Sequence, residues 1–140
     1  SLLGRAQQDG VRPANLPVEV SVKRVNREYG HIVHVSATLH FEKDQEEVIE
    51  WMQNYRSRAQ ALDLPSAPPE PFIFVEDLIP ESLPNPATDL KSGMTVRINN
   101  VQVSGTAITF SAWSENTIRG AAGGTMLLAE LAAAEGLLGE

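Results

Sequence analysis

The fold is decided by two alternating stretches, Val18-Glu-Val-Ser-Val-Lys-Arg24 and His31-Ile-Val-His-Val-Ser-Ala-Thr-Leu39. In both, apolar and polar residues alternate with a period of two, which is typical of a half-buried β-strand. The connection between them contains Asn26 and Gly30, two residues that favour turn geometry. The pattern therefore predicts a hairpin of two paired strands, with the rest of the chain built around it.

A basic side chain lies in the apolar phase of each predicted strand. Arg24 falls on the inward face of the first strand, and His31 begins the second strand on its apolar side. An arginine keeps its charge and is costly to bury unless an anion or a ligand meets it. Spacing leaves two alternatives: Arg24 reaches solvent and His31 is an ordinary strand residue, or both converge on one small anionic substrate.

The composition excludes several classes of function. The chain has 140 residues, which is one domain, and its 11 Lys and Arg against 18 Asp and Glu give a net charge of −7. Without a basic run, nucleic acid and anionic membranes are not expected partners. No apolar stretch is long enough to cross a bilayer, so we expect a cytoplasmic protein. The absence of cysteine excludes disulfides, thiolate metal sites and a cysteine nucleophile within this chain.

Helical spacing recurs after the predicted hairpin. Residues 1–17 are predicted to form a short helix or an irregular lead-in without chemistry of its own. From Asp44 to Leu62, apolar residues recur at intervals of three and four, which predicts one continuous helix that begins at Asp44 and covers one face of the sheet. Trp51 and Tyr55 are expected to be core residues of this helix rather than a ligand-stacking pair.

Prolines divide the middle of the chain. The segment Leu64–Pro71 is predicted to be an extended connector, and residues 76–91 a second irregular arm, because proline fixes φ and removes a backbone donor. Short strands are predicted at Phe72–Val75 and Met94–Ile98, and two more within Val101–Phe110. Together these give a sheet of five or six strands.

A glycine-rich and alanine-rich segment ends the sequence. It is predicted to form a helix from Ser114 towards Leu138, capped by Ser114 or Asn116. Glycine inside a helix costs about 1 kcal/mol relative to alanine. The three early glycines therefore predict a close approach, either of another backbone or of a phosphate to the helix N-terminus. These glycines are Gly120, Gly123 and Gly124.

Three motifs resemble one family along nearly the whole chain. The proline run Leu64–Pro71, the run Gly93–Val96 and the segment Asn116-Thr-Ile-Arg-Gly-Ala-Ala-Gly-Gly124 look like the C-terminal half of archaeal and fungal aspartate-semialdehyde dehydrogenases. The seven-residue spacing of Arg24 and His31 also matches the dimerisation or substrate domain of that family. The resemblance implies an α+β domain with a mixed, largely antiparallel sheet and helices on one face, like the C-terminal domain of glyceraldehyde-phosphate dehydrogenase.

The resemblance also implies a mechanism. In the family, a cysteine in the N-terminal nucleotide-binding half attacks the aldehyde of aspartate semialdehyde, a hydride passes to NADP, and phosphate releases aspartyl phosphate; biosynthesis runs the reaction in reverse. His31 matches the general acid and base. Arg24 matches the residue that binds the substrate carboxylate, and Asn116 matches a position near the cofactor. A homodimer or tetramer is the implied assembly.

The sequence also departs from the family. It has Asn99-Asn-Val-Gln102 where family members usually carry Gly-Arg-x-Arg, and Val33 where an acidic or amide residue is usual. A related acyl-CoA reductase, such as malonyl-CoA reductase, and a non-catalytic dimerisation module are the alternatives. We divide the chain into a lead-in (1–17), a substrate-binding and dimerisation domain (18–115), and a C-terminal helix (116–140) expected to pack on the nucleotide-binding half.

Overall fold

A computed structural model describes residues 4–7, 10–14, 26, 29–83 and 89–138. The first predicted strand, Val18 to Arg24, lies outside these residues, so its pairing stays a prediction. The described strands are β1 (Gly4–Gln7), β2 (Gly10–Pro13), β3 (His31–Thr38), β4 (Phe72–Phe74), β5 (Val96–Ser104) and β6 (Ala107–Ser114).

The main sheet has four described strands in the order β3-β6-β5-β4. The pairs β3–β6 and β5–β6 are antiparallel, and β4 pairs in parallel with β5. A two-residue turn joins β5 to β6, where Gly105 adopts φ +59°, a left-handed conformation that glycine takes without strain. The predicted α+β class with a mixed, largely antiparallel sheet is confirmed.

The lead-in differs from the prediction of a helix or an irregular segment. Its described residues form a separate two-stranded antiparallel sheet in which Gly4 pairs with Pro13 and Gln7 with Gly10. Gly10 has φ +139°, which glycine tolerates because it lacks a Cβ. The glycine therefore permits a hairpin in a stretch whose polar composition carries no clear strand period.

One face of the main sheet is covered by α1 (Gln45–Asn54). Val48 of this helix is buried against Ile98, Val101 and Ile108, which come from β5 and β6. Asp44 caps the helix as predicted: its Oδ1 accepts from the Glu47 backbone N at 2.8 Å, and the Glu47 side chain accepts from the Asp44 backbone N. This reciprocal capping box satisfies two donors at the helix start.

The single helix predicted from Asp44 to Leu62 is wrong, because the chain turns extended at Tyr55 and restarts as α2 (Arg58–Ala61). Ser57 caps α2 with a second capping box that includes Gln60. The spacing Ser57-x-x-Gln60 is itself a start signal for a helix and competes with continuation of α1. The break moves Ala59 out of the first core and into a second one.

The second core lies under the proline connector. Ala59, Leu64 and Ala67 are buried together, and Leu127 and Leu131 of the last helix pack against them. Ser66 donates from its backbone N and its Oγ to the Glu130 carboxylate, at 2.9 and 2.7 Å. The connector is irregular as predicted, and these contacts fasten it to the C-terminal helix.

Two boundaries near the third helix also differ from the prediction. Met94 does not begin a strand but ends the short helix α3 (Leu90–Met94), where it is completely buried. Strand β5 then runs without interruption from Val96 to Ser104, so the two strands predicted before Gly105 are one. Strand β4 is half-buried rather than buried, because it lies at the edge of the sheet.

Candidate functional site

The end of β6 and the start of β3 meet at one corner of the sheet. His31, the first residue of β3, pairs with Ser114, the last residue of β6. The chain then leaves β6 through Glu115 and Asn116 and enters the C-terminal helical segment. The antiparallel register therefore brings two of the predicted site residues, His31 and Asn116, to the same edge of the molecule.

A hydrogen bond joins the two chain segments at this corner. The backbone N of Gly30, immediately before His31, donates to Oδ1 of Asn116 at 2.7 Å. Asn116 itself is exposed, and so is His31. With Oδ1 engaged, the amide NH2 group of Asn116 is the part of the side chain that can donate to a ligand carbonyl.

The side chain of Trp113 also restrains Gly30. It adopts φ +72°, and a Cβ built on it would lie 2.3 Å from Nε1 of Trp113. Trp113 is only 4% exposed, and among the described residues its indole N–H has no hydrogen-bond partner. The Gly30 backbone covers that N–H directly. The position therefore requires glycine both for its conformation and for its contact with the ring.

Glu115, which precedes Asn116 in the sequence, is buried at the same corner. Its side chain is 1% exposed, and its Oε2 accepts from the backbone N of Thr117 at 2.6 Å and from Oγ1 of Thr117 at 2.8 Å. The backbone N of Ile118 donates to the same oxygen. The cap of the final helical segment is thus Glu115, and the prediction of Ser114 or Asn116 was wrong. Ser114 is still part of β6, and Asn116 turns towards Gly30.

The final helical segment begins with a π turn (Ile118–Ala122) and continues as α4 (Gly123–Ala134). A Cβ at Gly123 would lie 2.5 Å from Sδ of Met94, and one at Gly124 would lie 2.5 Å from the carbonyl oxygen of Arg119. Both glycines are closely packed, but by a side chain and by the carbonyl of the preceding π turn, not by a separate backbone segment or a phosphate as predicted. At Gly120 the nearest atom to a Cβ is 3.9 Å away, so packing does not require that glycine.

The packing of these glycines bears on where a dinucleotide can bind. Because Met94 and the chain's own carbonyl occupy the space beside Gly123 and Gly124, the helix start is not an open cradle for a pyrophosphate.

An open groove lies on the sheet face opposite α1. It has a volume of about 620 Å3 and is lined by Arg97, Trp113 and residues of the arm that crosses the sheet. Arg97 donates from Nε to the carbonyl of Leu78 at 2.8 Å and from an Nη to the carbonyl of Asp77 at 2.9 Å. These bonds hold the arm over β5.

The departure from the family pattern at Asn99–Gln102 coincides with a β-bulge. The register between β5 and β6 shifts between Asn99 and Gln102, and Asn100 adopts φ +52°. Asparagine tolerates this left-handed conformation better than most residues. Asn99 donates from its side-chain amide to the carbonyl of Glu76 at 2.8 Å. The segment Asn99–Gln102 therefore forms the bulge of β5, and its Asn99 side chain binds the arm.

Trp51 and Tyr55 are neither core residues nor a pair. Trp51 contacts Phe41 edge to face with ring centroids 5.8 Å apart, and Lys43 Nζ lies 4.9 Å from the Trp51 ring centre. Tyr55 stacks on Phe72 at 5.6 Å. Trp51 in α1 and Tyr55 just after it are both about half exposed, so the prediction that they belong to the core was wrong.

Of the three predicted site residues, the corner contains His31 and Asn116, while Arg24 lies outside the described residues. Sequence reasoning missed Glu115, Gly30 and Trp113 as parts of the site. An acidic residue two positions before Thr117, at the start of a glycine-rich helix, was a readable capping signal for Glu115. No local pattern could have indicated that Gly30 lies on Trp113.

Across the ranges that the structure describes, no three or more His, Asp or Glu side chains are grouped so that they could hold a metal ion. None of the described helices has the length and apolar character needed to cross a membrane.

No family model matches the chain, but individual proteins do. The chain is 33% identical over 135 residues to an aspartate-semialdehyde dehydrogenase of Methanothermobacter thermautotrophicus, and the match covers 93% of this chain and 38% of the relative. It is 31% identical over 134 residues to a malonyl CoA reductase (NADP) of Metallosphaera sedula, covering 94% of this chain and 37% of that relative. The chain thus spans little more than a third of the length of these curated relatives.

A solved structure shares the fold. The structure of aspartate semialdehyde dehydrogenase with NADP from Candida albicans superposes with a TM-score of 0.60 and 24% sequence identity, over 78% of this chain and 31% of that one. The similarity covers most of the domain described above. It shows the fold of the domain.

Proposed function

We propose that this chain, which is 33% identical over 135 residues to an aspartate-semialdehyde dehydrogenase, is the substrate-binding and dimerisation half of an NADP-dependent enzyme of that kind. Its reaction would interconvert aspartyl phosphate and aspartate semialdehyde in the amino-acid biosynthesis of the cytoplasm. One observation carries the proposal. His31 and Asn116, matched separately to the family by motif, lie at one corner that the Gly30–Asn116 hydrogen bond closes.

His31 is proposed as the general acid and base. It begins β3, its side chain is exposed, and histidine is the side chain that most often serves as a general acid and base. It would take the proton from the attacking thiol and return a proton to the substrate oxygen. The thiol must come from outside this chain, because the sequence contains no cysteine.

Arg24 is proposed to bind the substrate carboxylate. A guanidinium offers two parallel N–H donors to a carboxylate and so fixes its orientation as well as its charge. Such a contact would hold the aldehyde carbon at a constant distance from the catalytic imidazole. The role is carried by the family match and by the seven-residue spacing to His31.

Asn116 is proposed as the contact of this chain with NADP, which supplies hydride acceptance and donation when it is bound. The exposed amide keeps its NH2 group available while Oδ1 accepts from Gly30. Two exposed apolar side chains of α4, on either flank of the side that packs on the second core, support a neighbouring nucleotide-binding half: Met126 is 50% and Leu128 66% exposed. Exposed apolar residues on a helix of this kind mark a packing surface.

Self-association is proposed for the sheet. Along β3, Val33 is 50% exposed, and His34, Ser36 and Thr38 on the opposite face are also exposed. A broad uncovered sheet favours a symmetric dimer or a tetramer. Light scattering of the 140-residue chain is expected to give a dimer, and a monomer at micromolar concentration would contradict this part of the proposal.

A direct test uses the full-length protein that contains this chain. We expect phosphate-dependent reduction of NADP with aspartate semialdehyde, and we expect turnover to fall by about a hundredfold or more in His31→Ala. Arg24→Lys is expected to lower kcat/KM by about tenfold or more through a higher KM, with unchanged thermal stability, because lysine lacks the two-donor fork. Unchanged kinetics in either variant would remove that residue from the site.

The similarity to the malonyl CoA reductase favours one second candidate, reduction of an acyl-CoA. The same preparation decides between them. NADPH oxidation with malonyl-CoA, together with no turnover of aspartate semialdehyde, would replace the substrate while keeping His31 as the acid and base. A folded full-length protein that turns over neither substrate would favour a non-catalytic dimerisation module.

A further inference from the structure

We propose that Glu115 is a positioning residue that holds His31 in place through Asn116 and Gly30. The inference rests on the proposed role of His31 and deepens it. Glu115 touches neither substrate nor cofactor in this account. It acts by fixing the turn from which Asn116 reaches the start of β3.

Burial of Glu115 is the first observation. A carboxylate that is 1% exposed is costly to bury unless donors surround it. Here two backbone N–H groups and the Thr117 hydroxyl converge on one oxygen, Oε2. Two of the three donors belong to Thr117, the residue immediately after Asn116. The carboxylate therefore fixes the backbone on the far side of Asn116.

The position of Asn116 between two fixed residues is the second observation. On its near side, Glu115 is held in the interior by its own side chain, and β6 ends one residue earlier at Ser114. With the backbone held on both sides, Asn116 presents Oδ1 to the Gly30 N at 2.7 Å across 86 positions of sequence. An exposed amide would otherwise sample several rotamers and hold this bond only part of the time.

The consequence reaches His31 through the backbone. Gly30 is held by its hydrogen bond to Asn116 and by its packing against the Trp113 ring, and His31 is the next residue in the chain. Loss of the Glu115 carboxylate would release the Thr117 and Ile118 donors and free the Asn116 turn, leaving Gly30 restrained by its contact with Trp113 and by the pairing of His31 with Ser114. A displacement of about 1 Å at a catalytic group is enough to lower a rate by about a hundredfold.

Hydrogen exchange of the full-length protein tests the coupling. Mass spectrometry measures deuterium uptake in the peptide that contains Gly30, His31 and Ile32. In Glu115→Ala we expect the Gly30 amide to exchange about tenfold faster or more, because its acceptor becomes mobile. In Glu115→Gln we expect less than about a threefold change, since the amide oxygen can take the place of Oε2 and accept from the same donors.

Asp44→Ala is the matched control. It also removes a carboxylate that accepts a backbone N–H at a helix start, but it lies at α1 and away from the corner. We expect its Gly30 exchange to equal that of the parent protein. Faster Gly30 exchange in both variants, each in proportion to its own loss of unfolding free energy, would mean that exchange follows global stability, and would overturn the proposal.

A kinetic measurement separates positioning from capping alone. We expect Glu115→Ala to lower kcat by about tenfold or more with KM changed less than about threefold, and Glu115→Gln to restore kcat to within about threefold. If Glu115→Ala does not fold, Glu115→Asp takes its place: its carboxylate is withdrawn by one methylene, and Gly30 exchange must rise at least about threefold. Unchanged exchange in a folded Glu115→Ala or Glu115→Asp overturns the inference.

The two failures are distinguishable. If the parent protein has no turnover, the proposed function fails, yet the exchange experiment still decides whether Glu115 holds Gly30. If turnover depends on His31 but Gly30 exchange does not depend on Glu115, the function stands and the positioning role is wrong.

Discussion

Two helix starts in this molecule use the same chemistry in different surroundings. Asp44 caps α1 at the surface, within a box whose partners are three residues apart. Glu115 caps the π turn from the interior, next to a residue that bonds a strand 86 positions away. A carboxylate on backbone N–H groups therefore serves local helix formation in one case and joins two distant segments in the other. The difference lies in burial and in what the neighbouring residue contacts.

Gly30→Ala is expected to have the largest effect, because it breaks the corner at its most constrained point. The new Cβ would stand 2.3 Å from Trp113 Nε1, and φ +72° is strained for alanine. We expect the free energy of unfolding to fall by about 2–4 kcal/mol. Chemical denaturation measures this, with Gly120→Ala as the control. Gly120 has a nearest neighbour at 3.9 Å and should accept alanine without loss.

Glu115→Ala against Asp44→Ala tests the comparison itself. Alanine at 115 leaves the buried backbone N–H of Ile118 and the two partly buried donors of Thr117 without their acceptor, and we expect a loss of about 2–3 kcal/mol. Alanine at 44 removes an exposed cap and should cost about 1 kcal/mol. The two midpoints of urea unfolding check the order. Equal losses would mean that burial adds nothing to the cap at Glu115.

Ser57→Ala is expected to have the smallest effect and sharpens the local half of the comparison. Ser57 caps α2 in a box with Gln60, as Asp44 does for α1. We expect a loss of about 0.5–1 kcal/mol, because water can replace the lost acceptor at a partly exposed helix start. Thermal unfolding followed by circular dichroism measures it. A loss above that of Glu115→Ala would contradict the distinction between local and tertiary caps.

Several elements could be predicted because their signals are local. The alternation from His31 to Leu39 predicted β3, Asp44 predicted the start of α1, and the proline run predicted an irregular connector. Each signal lies within a few residues of the structure it encodes. The break after Asn54 was also encoded locally, in Ser57-x-x-Gln60, but the longer helical period outweighed it in the prediction.

The candidate site was predicted only in part. The residue types and the family resemblance pointed to His31 and Asn116. Their proposed roles, proton transfer for the imidazole and a cofactor contact for the amide, follow from the side-chain groups. The cap was assigned to Ser114 or Asn116, although Glu115 has it. Ser114 belongs to β6, and the Asn116 side chain accepts from Gly30. Both facts depend on the pairing of β3 with β6, which no local sequence pattern specifies.

By itself the sequence determined the faces of its strands, the start of its first helix and the residues able to move a proton or bind a carboxylate. These follow from periodicity and from side-chain chemistry, which act over a few residues. Only the tertiary structure decided that Gly30 lies between Trp113 and Asn116 and that Glu115 is buried behind them. Such contacts depend on strand order and register, and those are set by the packing of the whole sheet rather than by any one segment.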